Sequence, residues 1–200
     1  MPGRIEYRPR GTRRETPLLF VIADGESERV YFDRLNSMVK SIRIKPYDLA
    51  KNGWKTILKK CDGYVKSNLI DLKGGDRLAI VTDDDGAYDE ESISAFQAEC
   101  KRKGYELFLS NVSFEVWLLM HYERFSIAYT QDELEERLTG HLGRKYRKSQ
   151  GIPFDLAMVK KAVGNAAYNL PEGDNAECLK RNPSTRLHFL VGEILDREGR

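Results

Sequence analysis

Three short apolar runs constrain this chain more than any other feature. Pro17-Leu-Leu-Phe-Val-Ile-Ala23, Arg77-Leu-Ala-Ile-Val-Thr82 and Tyr105-Glu-Leu-Phe-Leu-Ser110 are apolar almost continuously, not alternately. A run of that length with β-branched residues reads as a strand covered on both faces. Parallel strands of this kind need long crossovers, usually helical. The segments between the runs fit that role. Glu26 to Val39 has apolar residues at Val30, Tyr31, Leu35 and Met38, and Trp54 to Ile70 repeats Trp54, Ile57, Leu58, Cys61, Val65 and Leu69. Ser92 to Lys103 turns Ile93, Phe96 and Cys100 inward before Gly104 stops it. These spacings predict amphipathic helices. Ile42 to Tyr47 alternates and predicts a further strand, and Phe114 to Tyr122 has a helical look. The expected fold class is α/β, a mostly parallel central sheet flanked by helices.

From Thr130 onward the pattern predicts helices without clear strands, over Gln131 to Leu138, Asp155 to Asn169 and Ser184 to Leu195. Asn182 or Ser184 is the expected cap of the last, and Asn111 and Ser113 are candidate caps for the helix after the fourth strand. The expected organisation is a basic arm over residues 1–16, an α/β domain over 17–128 and a helical C-terminal part over 129–200 packed on it. The arm holds five arginines and no apolar pattern, which reads as a solvated, flexible tail or as a phosphate-touching one.

Composition removes several classes. No window approaches a transmembrane span, and the Arg-rich start lacks the apolar core of a signal peptide. Cys61, Cys100 and Cys178 have neither zinc spacing nor a disulfide framework, which fits a reducing cytoplasm. A net charge of +2 does not describe a globally basic nucleic-acid binder, so any such role needs locally clustered charge. The phosphate-loop pattern Gly-x-x-x-x-Gly-Lys-[Ser/Thr] and Gly-x-Ser-x-Gly are absent, and His121, His141 and His188 have no metal spacing. His121, at the end of an apolar helix, reads foremost as a satisfied core histidine.

The chemistry-bearing feature is Asp83-Asp84-Asp85-Gly86 at the end of the third strand. Residues two apart on a strand point the same way, so Asp83 and Asp85 face one spot. Two such carboxylates repel unless a cation sits between them, and hard oxygen donors suit Mg²⁺, Mn²⁺ or Ca²⁺. In a doubly wound sheet the carboxyl ends of the strands form the ligand edge. That brings Asp24, at the end of the first strand, to the same place, with Glu28 in the following helical turn. Glu115, near the end of the fourth strand, is a further candidate ligand or a carboxylate placed on a helix dipole. The plainer reading is a polar loop whose acids cap helices. Arg144-Lys-Tyr-Arg-Lys148 puts four cations in five residues. Arg144, Lys145, Arg147 and Lys148 can contact phosphates, Lys145 or Lys148 can also reach over the acids and stabilise developing charge, and Tyr146 can stack a base. A solvated face, with Tyr146 packed inward, is the alternative.

These residues resemble a family. Phe-Val-Ile-Ala-Asp24-Gly25-Glu-Ser27-Glu28-Arg-Val-Tyr31-Phe32 is similar to the E-G-x-T-E-x-x-Y-F opening of RloB-like proteins, and Val81-Thr-Asp83-Asp-Asp85 to their acidic strand end. Ser110-Asn111-Val-Ser-Phe114-Glu115-Val-Trp117-Leu118-Leu119-Met-His121 resembles their S-N-x-x-F-E-x-W-L-L-x-H segment. Asn182-Pro183-Ser184-Thr185-Arg-Leu-His188 resembles their N-P-S-T-x-x-H. The segments run in order from about residue 18 to 195.

The resemblance implies a Toprim-like fold, as in topoisomerases, primases and OLD-family nucleases, where a strand-end Glu and an Asp-x-Asp pair bind Mg²⁺ or Mn²⁺ and act on phosphodiesters. It implies Asp83 and Asp85 as the Asp-x-Asp pair, Glu28 as the second acid of the opening, and Glu115 as a further ligand. Asp24 stands where the family usually has Glu, and Ser27 where it has Thr. The implied activity is a metal-dependent nuclease effector of prokaryotic antiphage defence, cleaving RNA, with tRNA as one candidate, or DNA. An ATPase from the same locus is the implied partner, and homo-oligomerisation is left open. The alternative is a catalytically inactive Toprim-like binding subunit of an ATPase-containing defence complex, which the Asp24 departure favours.

Overall fold

A computed structural model of the chain describes residues 18–23, 25–48, 53–67, 69–84, 86, 88–170 and 172–199. The arm, Asp24 and Asp85 lie outside the described residues.

The first apolar run forms β1 (Leu18–Ala23), buried along its whole length. It pairs in parallel with β2 (Arg43–Asp48) on one side and β3 (Arg77–Asp83) on the other. β4 (Glu106–Asn111) pairs in parallel with β3, in register Asp83 to Ser110. The sheet order is β2-β1-β3-β4-β5, where β5 is the two-residue Ser184–Thr185, antiparallel to β4. The crossovers are α1 (Glu26–Met38), α2 (Trp54–Lys66) and α3 (Glu90–Lys103). The chain steps from β1 out to β2 and then back across β1 to β3. The reversal of direction therefore falls between β1 and β3, the place where such sheets hold ligands.

The period-two alternation of strand side chains builds two cores. Leu19, Val21, Ala79, Val81 and Phe108 point to the face covered by α1, α4 (Glu115–Met120), α5 (Gln131–Leu142), α6 (Leu156–Asn169) and α8 (Leu187–Glu198). Leu18, Phe20, Ile22, Leu78, Ile80, Leu107 and Leu109 point to the face covered by α2, α3 and α7 (Asn175–Leu179). Each large side chain removed from water contributes roughly 1.5–3 kcal/mol. Of the helices after residue 129, α5, α6 and α8 thus complete one face of the sheet and α7 lies on the other, while β5 extends its edge.

Several local expectations change. α2 ends at Lys66. α3 begins at Glu90, because Asp89 accepts from the Ser92 amide at 2.7 Å while the Ser92 hydroxyl accepts from the Asp89 amide at 3.0 Å. Ser184 is not a helix cap. It lies in β5, and its hydroxyl faces the carbonyls of Cys178 and Arg181, each at 2.7 Å. Thr185 accepts from the Leu187 amide at 3.2 Å instead, at the start of α8. Asn182 is not that cap either, since its amide donates to the Tyr129 carbonyl at 3.3 Å. Nor do Asn111 and Ser113 cap α4. The Asn111 amide donates to the Leu179 carbonyl at 2.7 Å, and the Ser113 hydroxyl is buried without a hydrogen-bond partner.

Beyond β5 the open flank of β4 is closed by a side chain. The fully buried Asn175 accepts from the Leu109 amide at 3.0 Å and donates to the Leu107 carbonyl at 3.1 Å, doing for β4 what a paired strand would do. Among the described residues no helix is long and apolar enough to cross a membrane.

Candidate functional site

The site lies beyond the carboxyl ends of β1, β3 and β4. Glu28 sits in the first turn of α1, Asp83 is the last residue of β3, and Glu115 opens α4 just after β4. Glu28 and Glu115 are 3% and 1% exposed, far below what carboxylates normally tolerate. Gly25 makes room for one of them. A Cβ at that position would come 2.7 Å from Glu28 Oε2, so any larger residue would push the carboxylate out of its seat.

Glu115 is held unevenly. Its Oε1 accepts from the Ser27 hydroxyl at 2.9 Å and from the Tyr146 hydroxyl at 3.0 Å, and Lys148 Nζ lies 3.6 Å from the same oxygen. Its Oε2 is buried with no hydrogen-bond partner. Asp83 shows the same one-sidedness. The Phe114 backbone amide donates to its carboxylate, yet Oδ1 is buried and unpartnered. Burial pushes the Asp83 carboxyl well above the usual carboxylate range, and the negative charges of Glu28 and Glu115 push it further; the Phe114 amide and Lys148 pull it back only partly. The three acids, two of them with a buried and unsatisfied oxygen, are hard donors of the chemical kind that divalent cations take. Among the described residues no three of His, Cys, Asp and Glu stand as a ready-made metal cage, and the other two acids of the expected cluster, Asp24 and Asp85, lie outside those residues.

The basic run divides into two by side. Tyr146 is 3% exposed, fixed at both ends by its hydroxyl on Glu115 and its amide on Thr139 Oγ1 at 3.0 Å. Its ring is closed off inside the protein, which corrects the expectation that it stacks a base. Burial and the Glu115 charge also raise its hydroxyl above the ordinary tyrosine range, so it stays a proton donor. The residues on either side, Lys145 and Arg147, are exposed, as is Arg144, which donates to Gln150 Oε1 at 2.7 Å. Lys148 begins a single 3-10 turn and reaches inward, bridging Glu115 and Glu135 at 3.6 and 3.9 Å. Lys148, not Lys145, is therefore the cation in contact with the acids.

The four sequence segments meet here. Ser27 of the first bonds Glu115 of the third. Asp83 of the second is in register with Ser110 of the third, whose hydroxyl lies 2.9 Å from that of Thr185 in the fourth. His121 closes the third segment as a satisfied core histidine. Its Nδ1 meets the Trp117 carbonyl at 3.0 Å and its Nε2 the Tyr31 hydroxyl at 3.3 Å. The sequence profile of RloB-like proteins matches residues 19–194. The chain belongs to the RloB-like family. No curated protein and no solved structure matches it. In this RloB-like protein the site residue that sequence reading did not place is Ser27, and Tyr146, expected to stack a base or pack inward, holds Glu115 instead. Ser27 stood beside a glutamate in the opening segment, but its partner lies 88 positions away. Tyr146 had one signal, as the lone apolar-bodied residue among four cations.

Proposed function

We propose that this RloB-like protein is a divalent-metal-dependent nuclease that hydrolyses phosphodiester bonds in RNA or DNA and acts in prokaryotic antiphage defence. The observation that carries the reading is the buried carboxylate set of Glu28, Asp83 and Glu115, with Asp83 Oδ1 and Glu115 Oε2 unsatisfied, at the switch point of a parallel sheet. Leaving two buried carboxylate oxygens without a hydrogen-bond partner is costly. Asp24 and Asp85, adjacent in sequence to β1 and β3, supply the remaining oxygens in this reading. A bound Mg²⁺ or Mn²⁺ would neutralise charge on the transferring phosphoryl group and acidify a water.

The chain's own residues supply the rest. Ser27 and Tyr146 fix Glu115 Oε1, so that Oε2 is the oxygen left to act. Lys148, with its side chain 43% exposed, stands between the acids and solvent, where an incoming phosphate arrives. Arg144, Lys145 and Arg147 are exposed beside it and suit backbone phosphates, which makes attraction of a polyanion independent of the negative site. The Toprim relationship belongs to this same reading, as does an ATPase partner.

Incubation of purified protein with total RNA and with plasmid DNA tests the proposal. Cleavage of either with Mn²⁺ or Mg²⁺, abolished by EDTA and by Asp83→Asn, is the expected result. Cleavage that survives both treatments would place any nuclease activity elsewhere.

A further inference from the structure

Lys148 is the one cation that the described residues bring into contact with Glu115. Its ammonium lies 3.6 Å from Glu115 Oε1 and 3.9 Å from Glu135 Oε1, so it spans an inner, 1% exposed carboxylate and an outer, 38% exposed one. The inner oxygen is already saturated by two hydroxyl donors at 2.9 and 3.0 Å. Lys148 thus adds charge rather than a needed hydrogen bond. Its contacts are long for charge-assisted hydrogen bonds, which fall near 2.7–2.9 Å. A side chain held by charge alone, on a flexible stem with a second carboxylate at hand, is free to move.

We propose that Lys148 is the built-in counter-ion of the carboxylate site: without metal it neutralises the inner acids, and a divalent cation displaces it outward onto Glu135. The inference rests on the reading of Glu28, Asp83 and Glu115 as a cation site. The device solves a problem that the geometry creates. Asp83 lies in the fields of Glu28 and Glu115, and buried acids that near one another repel. A resident lysine lowers that repulsion during folding and in the metal-free state. Its displacement then delivers a positive charge to the mouth of the site at the moment the metal is in place. The site is thereby switched from self-neutralised to ready for a polyanion.

The consequence is a competition with opposite signs at the two ends of the bridge. Lys148→Met removes the competitor, so Mn²⁺ should bind about three- to fivefold tighter by titration calorimetry at fixed ionic strength, the upper range for a half-exposed ion pair. The metal-free variant should melt lower than the wild type, and Mn²⁺ should raise its melting temperature by more. Lys148→Arg keeps the charge and should stay within about twofold of wild-type affinity. Glu135→Gln removes the outer landing place and should weaken Mn²⁺ binding. That partly exposed substitution carries the test should Lys148→Met fail to fold. Wild-type binding that neither Lys148→Met nor Glu135→Gln alters would overturn the displacement while leaving the metal site standing. If the wild type takes up no Mn²⁺ or Mg²⁺ at all, the cation site fails, and the displacement with it.

Discussion

Asp83 is the residue on which the site turns. Its carboxyl is raised by burial and by two neighbouring acids, so the folded protein holds its proton more tightly than the unfolded chain does. The linkage sign follows from that direction. Below the unfolded value, about 3.9, the group is protonated in both states and costs nothing. As pH rises above it, folding must either retain the proton or bury the charge, so Asp83 destabilises the metal-free protein increasingly toward neutral pH. Asp83→Asn should therefore raise the melting temperature of the metal-free protein at pH 7, with the gain vanishing near pH 4. The same variant should lose any stabilisation by Mn²⁺. A lower melting temperature at pH 7 would mean that Asp83 is paired more favourably than its unsatisfied oxygen indicates. Tyr146→Phe acts on the other side of the site. It leaves Glu115 Oε1 with one hydroxyl fewer, at a cost of about 1–3 kcal/mol for an underbonded buried acceptor, read by urea denaturation.

At the scale of elements, the helix-and-strand plan follows from patterns that need no partner to be seen. β1, β3 and β4 are continuous apolar runs, and the helices between them carry their own period. What the sequence does not display are the elements made by long-range contacts. β5 is two residues long and exists because β4 has an open edge; α7 is five residues, too short for a period, and serves to bring Asn175 to that edge. Asn175→Ala strips the Leu109 amide of its partner and leaves the Leu107 carbonyl with only the Arg186 guanidinium, at 3.4 Å. The expected loss is about 2–4 kcal/mol, with amide exchange at Leu109 accelerated and exchange in β1 much less affected. The site was legible to the same degree and for the same reason. The acids at strand ends were visible from their positions. The bond of Tyr146 to Glu115 was not, because that partner lies 31 positions away. α4 adds a pH signature of its own. Burial pushes His121 down to about 4, so it folds neutral. The unfolded chain takes up that proton near pH 6.5, and stability should fall by about 3 kcal/mol as pH drops from about 6.5 to about 4. His121→Gln should flatten the acid limb of the stability curve over that window, an effect of opposite sign to that of Asp83.

For the whole molecule, the near-neutral total of +2 conceals a separation of charge that the fold imposes. The buried acids Glu28, Asp83 and Glu115 converge behind the carboxyl ends of the strands, while Arg144, Lys145 and Arg147 stand exposed next to the lysine that touches them. A polyanion approaching this edge meets the cations first and the acids only at close range. If these three cations each hold a phosphate, binding must release counter-ions, and affinity must fall with salt on a log–log slope of roughly 0.7 to 0.9 per contact. Substituting Arg144, Lys145 and Arg147 together by Gln should then flatten the slope by about two to three and weaken binding across all sequences alike, since phosphates carry no sequence information. Lys148 is left out of that set because its neighbours are carboxylates. Its loss should change metal affinity and cleavage while leaving the salt slope within one unit. Binding measured in Ca²⁺, which permits docking with little chemistry, separates the two effects from turnover measured in Mg²⁺. A triple variant with an unaltered salt slope would show that the exposed run is only a solvated face, and the search for phosphate contacts would pass to the arginines of residues 4–14.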